Sequence, residues 1–290
     1  MSITKRKSLH GPMAFVSDRE QIVGRGGLAS GGLGIPGIAH VGAMTTGFID
    51  DFRGLPIGDT GAFVTGTSIW QQHNVDTGQV PNGLAASAPA VTNGVFRFTM
   101  SASATQTAAG TSRTLTHQLA YKANQGRLRI AARLNLSVLA GSQVFVGFTD
   151  NAAGEFPAYD TGGGVISQAA DCVGWLFGQE NQGTAAVWQG VAVKSTPNDS
   201  GDLLLTTTAR PTVGVYDVLE IVMDSNPNPA NSYGIVANFF LNGRSMGQIQ
   251  APVLETTAMT PVVAVCTTDA QALVVDLDWV AVSAQRDTGT

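Results

Sequence analysis

Hydrophobic and polar residues alternate most clearly between residues 127 and 138. One face of this segment carries the apolar positions Leu128, Ile130, Ala132, Leu134, Leu136 and Val138. The other face carries Arg127, Arg129, Ala131, Arg133, Asn135 and Ser137. A period of two residues is that of a β-strand, so the segment is predicted to be a strand with one buried and one solvent-facing side.

Comparable apolar segments recur after residue 47, separated by turns rich in Gly, Asn, Asp and Pro. They predict strands at roughly 47–53, 67–72, 94–101, 114–122, 143–149, 172–179, 184–194, 213–224, 233–241, 259–267 and 272–283. Asn242-Gly243 predicts a tight hairpin, because both central positions of a type I′ turn need a positive φ. Short strands without a long amphipathic helix indicate an antiparallel β-sandwich or barrel.

The first part of the chain differs in kind, because glycines cluster around Pro36 with little periodic pattern. Such a segment cannot bury a core of its own, yet apolar side chains are interspersed in it. We therefore predict an extended N-terminal arm, residues 1–46, that orders on a partner subunit, followed by a β-sandwich domain at 47–290. The arm residues predicted to contact the partner are Arg25, Leu28, Leu33 and Ile35.

Charge and composition exclude several classes of partner. The net charge is −5 and only 13% of residues are charged, so the body offers no basic surface for nucleic acid. No segment approaches the roughly 20 apolar residues that cross a membrane. No secretory signal pattern follows Lys5–Lys7, so a soluble protein made in the cytoplasm is expected. Cys172 and Cys266 lie in apolar segments and are predicted to be buried thiols.

Three segments resemble one known fold family. The sequence ANFFLNGRSMGQI (237–249) is similar to a strand, Asn-Gly turn and strand near the end of concanavalin-A-like lectin and glucanase jelly rolls. The final segment ALVVDLDWVAV (272–282) resembles their closing strand, and GFIDDF (47–52) resembles their opening. This resemblance implies an all-β, antiparallel jelly-roll β-sandwich whose last strand runs beside its first.

A sandwich with a glycine-rich arm and a surface low in charge also resembles capsid decoration proteins of tailed bacteriophages. That resemblance implies a non-enzymatic virion structural protein, a decoration or cement subunit attached through its arm. It would be synthesised in the host cytoplasm and lie on the capsid surface. Its partners would be the major capsid protein or other virion subunits, and it would form a homo-oligomer. The alternative is a carbohydrate-binding or receptor-binding tail component, with a glycan as its ligand.

Carboxylate pairs for catalysis are scarce in the sequence. Glucanases of the family use the strand motif Glu-x-Asp-x-x-Glu, with carboxyl groups about 5–5.5 Å apart, and this motif is missing here. Asp276 and Asp278 share a face of the last strand and are interpreted as solvated. Asp217 and Glu220 fall on opposite faces of theirs. The chain is therefore predicted not to be an enzyme and to need no cofactor.

Two further groups of residues are candidates for binding. Arg127, Arg129 and Arg133 share the polar face of one strand, which is either a solvated face or a site for an anionic partner. Trp188 is out of phase with Val191 and Val193, which predicts that it faces outward as a ligand or partner contact. The loop at 150–160 is rich in oxygen ligands, but a solvated turn is favoured over calcium, and no metal is predicted.

Overall fold

The computed structural model describes just over half of the chain. The described residues are 38–40, 45–50, 70–75, 95–100, 112–117, 120–124, 126–151, 156–160, 165–167, 169–178, 186–195, 203–225, 234–267 and 272–285. The side chains of the first three of these segments lie outside the description.

The described residues form two large antiparallel sheets and one small one. Sheet I contains β1 (Ile38–His40), β2 (Thr45–Asp50), β4 (Phe96–Met100), β7 (Leu128–Leu136), β14 (Asp217–Ser225), β15 (Ile235–Leu241), β16 (Arg244–Gln250) and β18 (Leu273–Gln285). Sheet II contains β3 (Trp70–Val75), β5 (Ser112–His117), β6 (Tyr121–Lys122), β8 (Ser142–Thr149), β11 (Cys172–Gly178), β12 (Trp188–Val193), β13 (Leu203–Thr206) and β17 (Ala258–Thr267). The small sheet pairs β9 (Ala158–Asp160) with β10 (Val165–Ser167).

The last strand organises sheet I. Along one edge β18 pairs first with β4 and then with β2, and along the other edge it pairs with β7. The order then continues through β14 and β15 to β16. The closing strand thus runs beside an opening strand, and the predicted jelly-roll β-sandwich is confirmed.

The main core lies between the two sheets. In β7 the apolar positions predicted to share a face, from Leu128 to Leu136, are all buried in this core. Sheet II contributes large aromatic side chains such as Phe148, Trp175 and Phe177. Burial of apolar surface on this scale is the dominant favourable contribution to folding.

Sheet II is apolar on its second face as well. A separate buried cluster there includes Phe145, Leu176 and Val191, with Phe156 contributed by the segment before β9. Both faces of β8, β11, β12 and β17 are therefore buried, which explains their nearly continuous apolar sequences. Alternation alone cannot tell which side of such a strand faces the main core.

The predicted Asn-Gly hairpin is confirmed between β15 and β16. Asn242 and Gly243 have φ of 51° and 77°, both in the left-handed region that a type I′ turn requires. The amide group of Asn242 also donates to Oδ1 of Asp217 at 2.9 Å, and Oδ2 of Asp217 accepts from the indole N–H of Trp188 at 3.0 Å. This chain of hydrogen bonds joins the hairpin to both sheets.

The two cysteines are buried thiols, as predicted. Cys172 pairs with Thr149 and Cys266 with Gln143, at opposite ends of β8. Six residues of strand separate these positions, or about 20 Å, so a disulfide between them is sterically impossible.

The hydrophobic pattern of the sequence does not predict several short strands. β9, β10 and β13 were not predicted, and β1 with the start of β2 falls inside the segment assigned to the arm. The rest of residues 1–46 lies outside the described residues, so the arm and its boundary stay predictions. No helix within the described part of the chain has the length and apolarity needed to span a membrane.

Candidate functional site

The candidate site lies on the face of sheet I that points away from sheet II. It is built where β4, β18 and β7 run side by side, with Arg97 opposite Asp276 and Asp276 opposite Asn135. The residues flanking Arg97 in β4 are Phe96 and Phe98, both buried in the main core. The alternation of the strand therefore directs Arg97 to the outer face.

Arg97 and Asp276 form a two-point ion pair. Nε of Arg97 lies 2.6 Å from Oδ1 of Asp276, and Nη2 lies 2.9 Å from Oδ2. A planar guanidinium fits a carboxylate in this side-by-side geometry, which fixes its orientation as well as its position. The pKa of Arg97 is raised, first by this hydrogen bond and then by the charge of Asp276.

A second pair lies next to the first. The register of β18 shifts between Leu277 and Trp279, so Asp278 occupies a β-bulge. Oδ2 of Asp278 lies 2.6 Å from Nη1 of Arg133 on β7. Asp278 lies two residues after Asp276, so the alternation of the strand gives both carboxylates the same outer face, and the bulge turns Trp279 to that face as well.

Tyr216 lies among these four charged side chains. The guanidinium carbon of Arg133 is 4.3 Å from the centre of the Tyr216 ring, which is a cation–π contact. Burial raises the pKa of Tyr216, and the charges of Asp276 and Asp278 raise it further. The phenol therefore keeps its proton at neutral pH and can donate a hydrogen bond.

The floor of the site is apolar. Trp279 is the register partner of Arg133 and packs with Ala131 and Ala281, while Val218 packs against this cluster. Trp279 is buried, so it offers no open ring for stacking. We call the set Arg97, Arg133, Tyr216, Asp276 and Asp278 the arginine–aspartate face.

One more ion pair lies beside this face and is closed to solvent. Nη2 of Arg129 is 2.7 Å from Oε1 of Glu220, whose side chain is only 1% exposed. Burial raises the pKa of Glu220 to about 7, although the charge of Arg129 acts in the opposite direction. Burial also lowers the pKa of Arg129. Desolvation therefore outweighs the mutual attraction of this pair.

The structure brings together only some of the predicted binding residues. Arg127, Arg129 and Arg133 do share one outer face of β7, but each has a carboxylate partner; that of Arg127 is Asp224, at 4.0 Å. Arg129 is mostly buried with Glu220, which corrects its assignment as a surface contact.

The predicted opposite orientations of Asp217 and Glu220 are confirmed, since Asp217 bonds to Trp188 between the sheets.

The outward orientation predicted for Trp188 is wrong. Its side chain is fully buried in the main core, with its ring 5.5 Å from that of Phe177. The prediction took Val191 and Val193 as facing the main core, whereas they belong to the cluster on the second face of sheet II. A residue out of phase with those valines therefore points inward.

Other predicted positions lie outside the description. Arg25, Leu28, Leu33 and Ile35 of the arm are not among the described residues. Asp150 belongs to the loop at 150–160 that was considered for calcium. Its side chain is half-buried, and burial raises the pKa of its carboxyl group. No group of three or more potential metal-ligating side chains occurs within the described segments.

Two members of the arginine–aspartate face were missed in the sequence. Arg97 precedes Asp276 by 179 residues, and no local pattern links them. Tyr216 directly precedes β14 and has no periodic signal. Asp276 and Asp278 were interpreted as solvated, whereas their side chains are only 16% and 13% exposed and each pairs with an arginine.

Comparisons with known proteins bear on the fold. No family model matches the sequence, and no curated protein does. A Bacillus licheniformis β-glucanase has a TM-score of 0.48 and 10% identity, covering 81% of this chain and 97% of that one. The alginate lyase Aly36B has a TM-score of 0.46 and 10% identity, and the match covers 68% of this chain and 82% of the lyase. The carbohydrate recognition domain of Emp47p has a TM-score of 0.48 and 8% identity, and the match covers 76% of this chain and 89% of that domain.

These comparisons correct the prediction that the chain is not an enzyme. A β-glucanase and an alginate lyase are among the structures that it resembles. At such identities the likeness is one of fold, and one fold hosts many activities. The role of this chain has to be argued from its own residues.

Proposed function

We propose that the chain is a carbohydrate-binding β-sandwich and that the arginine–aspartate face is its binding surface. The observation that carries the proposal is the presence of two neighbouring arginine–aspartate ion pairs, held at 2.6–2.9 Å, close to Tyr216. Sugars present several hydroxyl groups at fixed angles, and this arrangement offers donors and acceptors at fixed positions.

The charges on this surface balance. Arg97 and Arg133 are matched by Asp276 and Asp278, so the face has no net charge. A neutral surface built from charged groups binds hydroxyl groups through charge-assisted hydrogen bonds, which are about twice as strong as neutral ones. Because the ion pairs already fix these side chains, little conformational entropy remains to be lost on binding.

An apolar loop borders the face. Val213 and Val215 are each about half exposed, and Val215 directly precedes Tyr216. The N–H of Gly214 donates to the carbonyl oxygen of Leu136 at the end of β7, which anchors the loop to the strand that carries Arg133. Exposed valines next to a half-buried tyrosine provide the apolar contact that the C–H face of a sugar ring needs.

A glycan array followed by titration tests the proposal. Wild-type protein is expected to bind at least one class of oligosaccharide, and the double variant Arg97→Ala/Arg133→Ala is expected to lose that binding. Arg244→Ala is the matched control, because Arg244 is an exposed arginine on β16 of the same sheet. Equal binding by both variants would exclude the arginine–aspartate face, and no glycan binding by the wild type would reject the function.

The capsid-decoration hypothesis depends mainly on the arm at residues 1–46, most of which lies outside the described residues. No observation on the described part of the chain favours it over carbohydrate binding. Its predicted partners, homo-oligomer and location on the virion therefore stay predictions from the sequence.

A further inference from the structure

The arginines are the more exposed members of both ion pairs. The side chain of Arg97 is 47% exposed and that of Asp276 only 16%. The side chain of Arg133 is 41% exposed and that of Asp278 only 13%. Although the face is neutral as a whole, an approaching ligand meets the guanidinium groups first. The carboxylates are sheltered by the strands and by their partners.

Each guanidinium retains hydrogen-bonding capacity beyond its aspartate. A guanidinium carries five N–H donors in a fixed plane. Asp276 occupies Nε and Nη2 of Arg97, on one edge of that plane. The edge formed by the two Nη atoms can donate hydrogen bonds to a second carboxylate without displacing the first. Arg133 uses Nη1 for Asp278, and its guanidinium carbon lies over the ring of Tyr216, so the edge formed by Nε and Nη2 has the same capacity.

The two pairs share β18, and their arginines lie on opposite sides of that strand. Asp276 and Asp278 are two residues apart on β18, a distance of about 7 Å along an extended strand. Arg97 on β4 and Arg133 on β7 lie on the two strands that flank β18, so their backbones are about 10 Å apart across the sheet. A polymer that carries one acidic group on each sugar unit and lies across β18 can therefore contact both arginines at once. Two linked contacts raise the affinity well above that of a single unit.

We infer that the ligand of the arginine–aspartate face is an acidic polysaccharide, a chain of uronic acid units whose carboxylates bind Arg97 and Arg133. This inference rests on the proposed function and specifies its ligand. A carboxylate bound to the outer edge of a guanidinium brings an opposite charge to each hydrogen bond, so it binds there more strongly than a neutral hydroxyl does. The tyrosine and the exposed valines then contact the sugar ring between the acidic groups.

A pair of matched polymers tests the inference. A 1,4-linked oligogalacturonate and its carboxyl-reduced counterpart have the same linkage and length and differ only in charge. Titration calorimetry should show that the acidic oligomer binds at least about tenfold more tightly, a difference of about 1.4 kcal/mol. That advantage should shrink with added salt, because exposed charges are screened.

Variants locate the effect and separate the two claims. Arg97→Gln/Arg133→Gln should abolish the preference for the acidic oligomer, while Arg244→Gln should retain it. Equal affinity for the two oligomers would overturn the inference and leave carbohydrate binding in place. Failure of both oligomers and of every neutral glycan to bind would overturn the proposed function itself. A preference that survives in the double glutamine variant would overturn the assignment to these arginines.

Discussion

Arg97 and Asp276 face each other across β4 and β18 and share two hydrogen bonds of 2.6 and 2.9 Å. Their Cα atoms are direct register partners, so the backbone ladder positions both side chains before any ligand arrives. Rigid strands place functional groups more accurately than loops do. This relationship is the basis for treating the surface as a preformed binding site.

Arg97→Lys is expected to weaken glycan binding about tenfold or more and to leave stability almost unchanged. Lysine retains the charge but cannot form the two-point contact, so the orientation of the pair is lost. Because Arg97 is exposed, the change in unfolding free energy should stay below about 1 kcal/mol. Titration calorimetry and urea unfolding measure the two quantities. Unchanged affinity would show that the two-point contact between Arg97 and Asp276 is irrelevant to binding.

Glu220→Gln is expected to remove a pH dependence of stability. The pKa of Glu220 is raised from 4.5 to about 7, so the folded state binds the proton more tightly than the unfolded state does. The stabilisation is therefore complete below about pH 4.5 and is lost as the pH rises through about 7. At about 1.4 kcal/mol per pKa unit, the loss is on the order of 3 kcal/mol.

The measurement for Glu220 is urea unfolding of wild type and variant between pH 5 and pH 8, across the range set by the raised pKa of about 7. Charged groups near Glu220 are Arg129, which lies 2.7 Å away, and Arg127; both remain in the variant. Glu255→Gln is the control, because Glu255 is exposed. A wild type whose stability rises over this range, or a variant with the same slope as wild type, would contradict the assignment.

Asp217→Ala is expected to destabilise the fold by about 2–4 kcal/mol. The substitution leaves the buried indole N–H of Trp188 and the amide of Asn242 without their acceptor, and unsatisfied buried donors carry a desolvation penalty. Asp224→Ala on the same strand is the control, since Asp224 is partly exposed and lies 4.0 Å from its partner. Similar urea midpoints for the two variants would argue against the bridge between the sheets.

Gly147→Ala is expected to cost more stability than Gly214→Ala. A Cβ at Gly147 would lie 2.1 Å from the carbonyl oxygen of Val173, inside sheet II, whereas one at Gly214 would meet nothing within 4 Å. Gly214 has a φ of 72°, so alanine there costs about 1 kcal/mol of backbone strain. Thermal unfolding of the two variants should give the lower midpoint for Gly147→Ala; the reverse order would contradict the close packing of β8 against β11.

Local patterns were sufficient for much of the fold. The alternation in β7 depends on one buried and one outer face, and the Asn242-Gly243 turn depends on two positive φ angles. Both are properties of a few consecutive residues, so the sequence shows them directly. The position of the closing strand beside an opening one came from the resemblance to a known fold and is confirmed.

The orientation of Trp188 and the candidate site required information that no local pattern contains. β12 is buried on both faces, so its valines gave no indication of which side faced the main core. Arg97 meets Asp276 across a separation of 179 residues, and Asp278 meets Arg133 across 145 residues. Such contacts depend on strand order and register, which are set by the whole sandwich.

The most direct test of the account is to map a bound oligosaccharide by NMR, following arginine Nε–H signals and backbone amides during titration. The account predicts that the Nε–H signals of Arg97 and Arg133 shift together with the amides of Asp276 and Asp278, while that of Arg244 stays in place. Shifts confined to sheet II, with the signals of Arg97 and Arg133 unchanged at saturation, would contradict it.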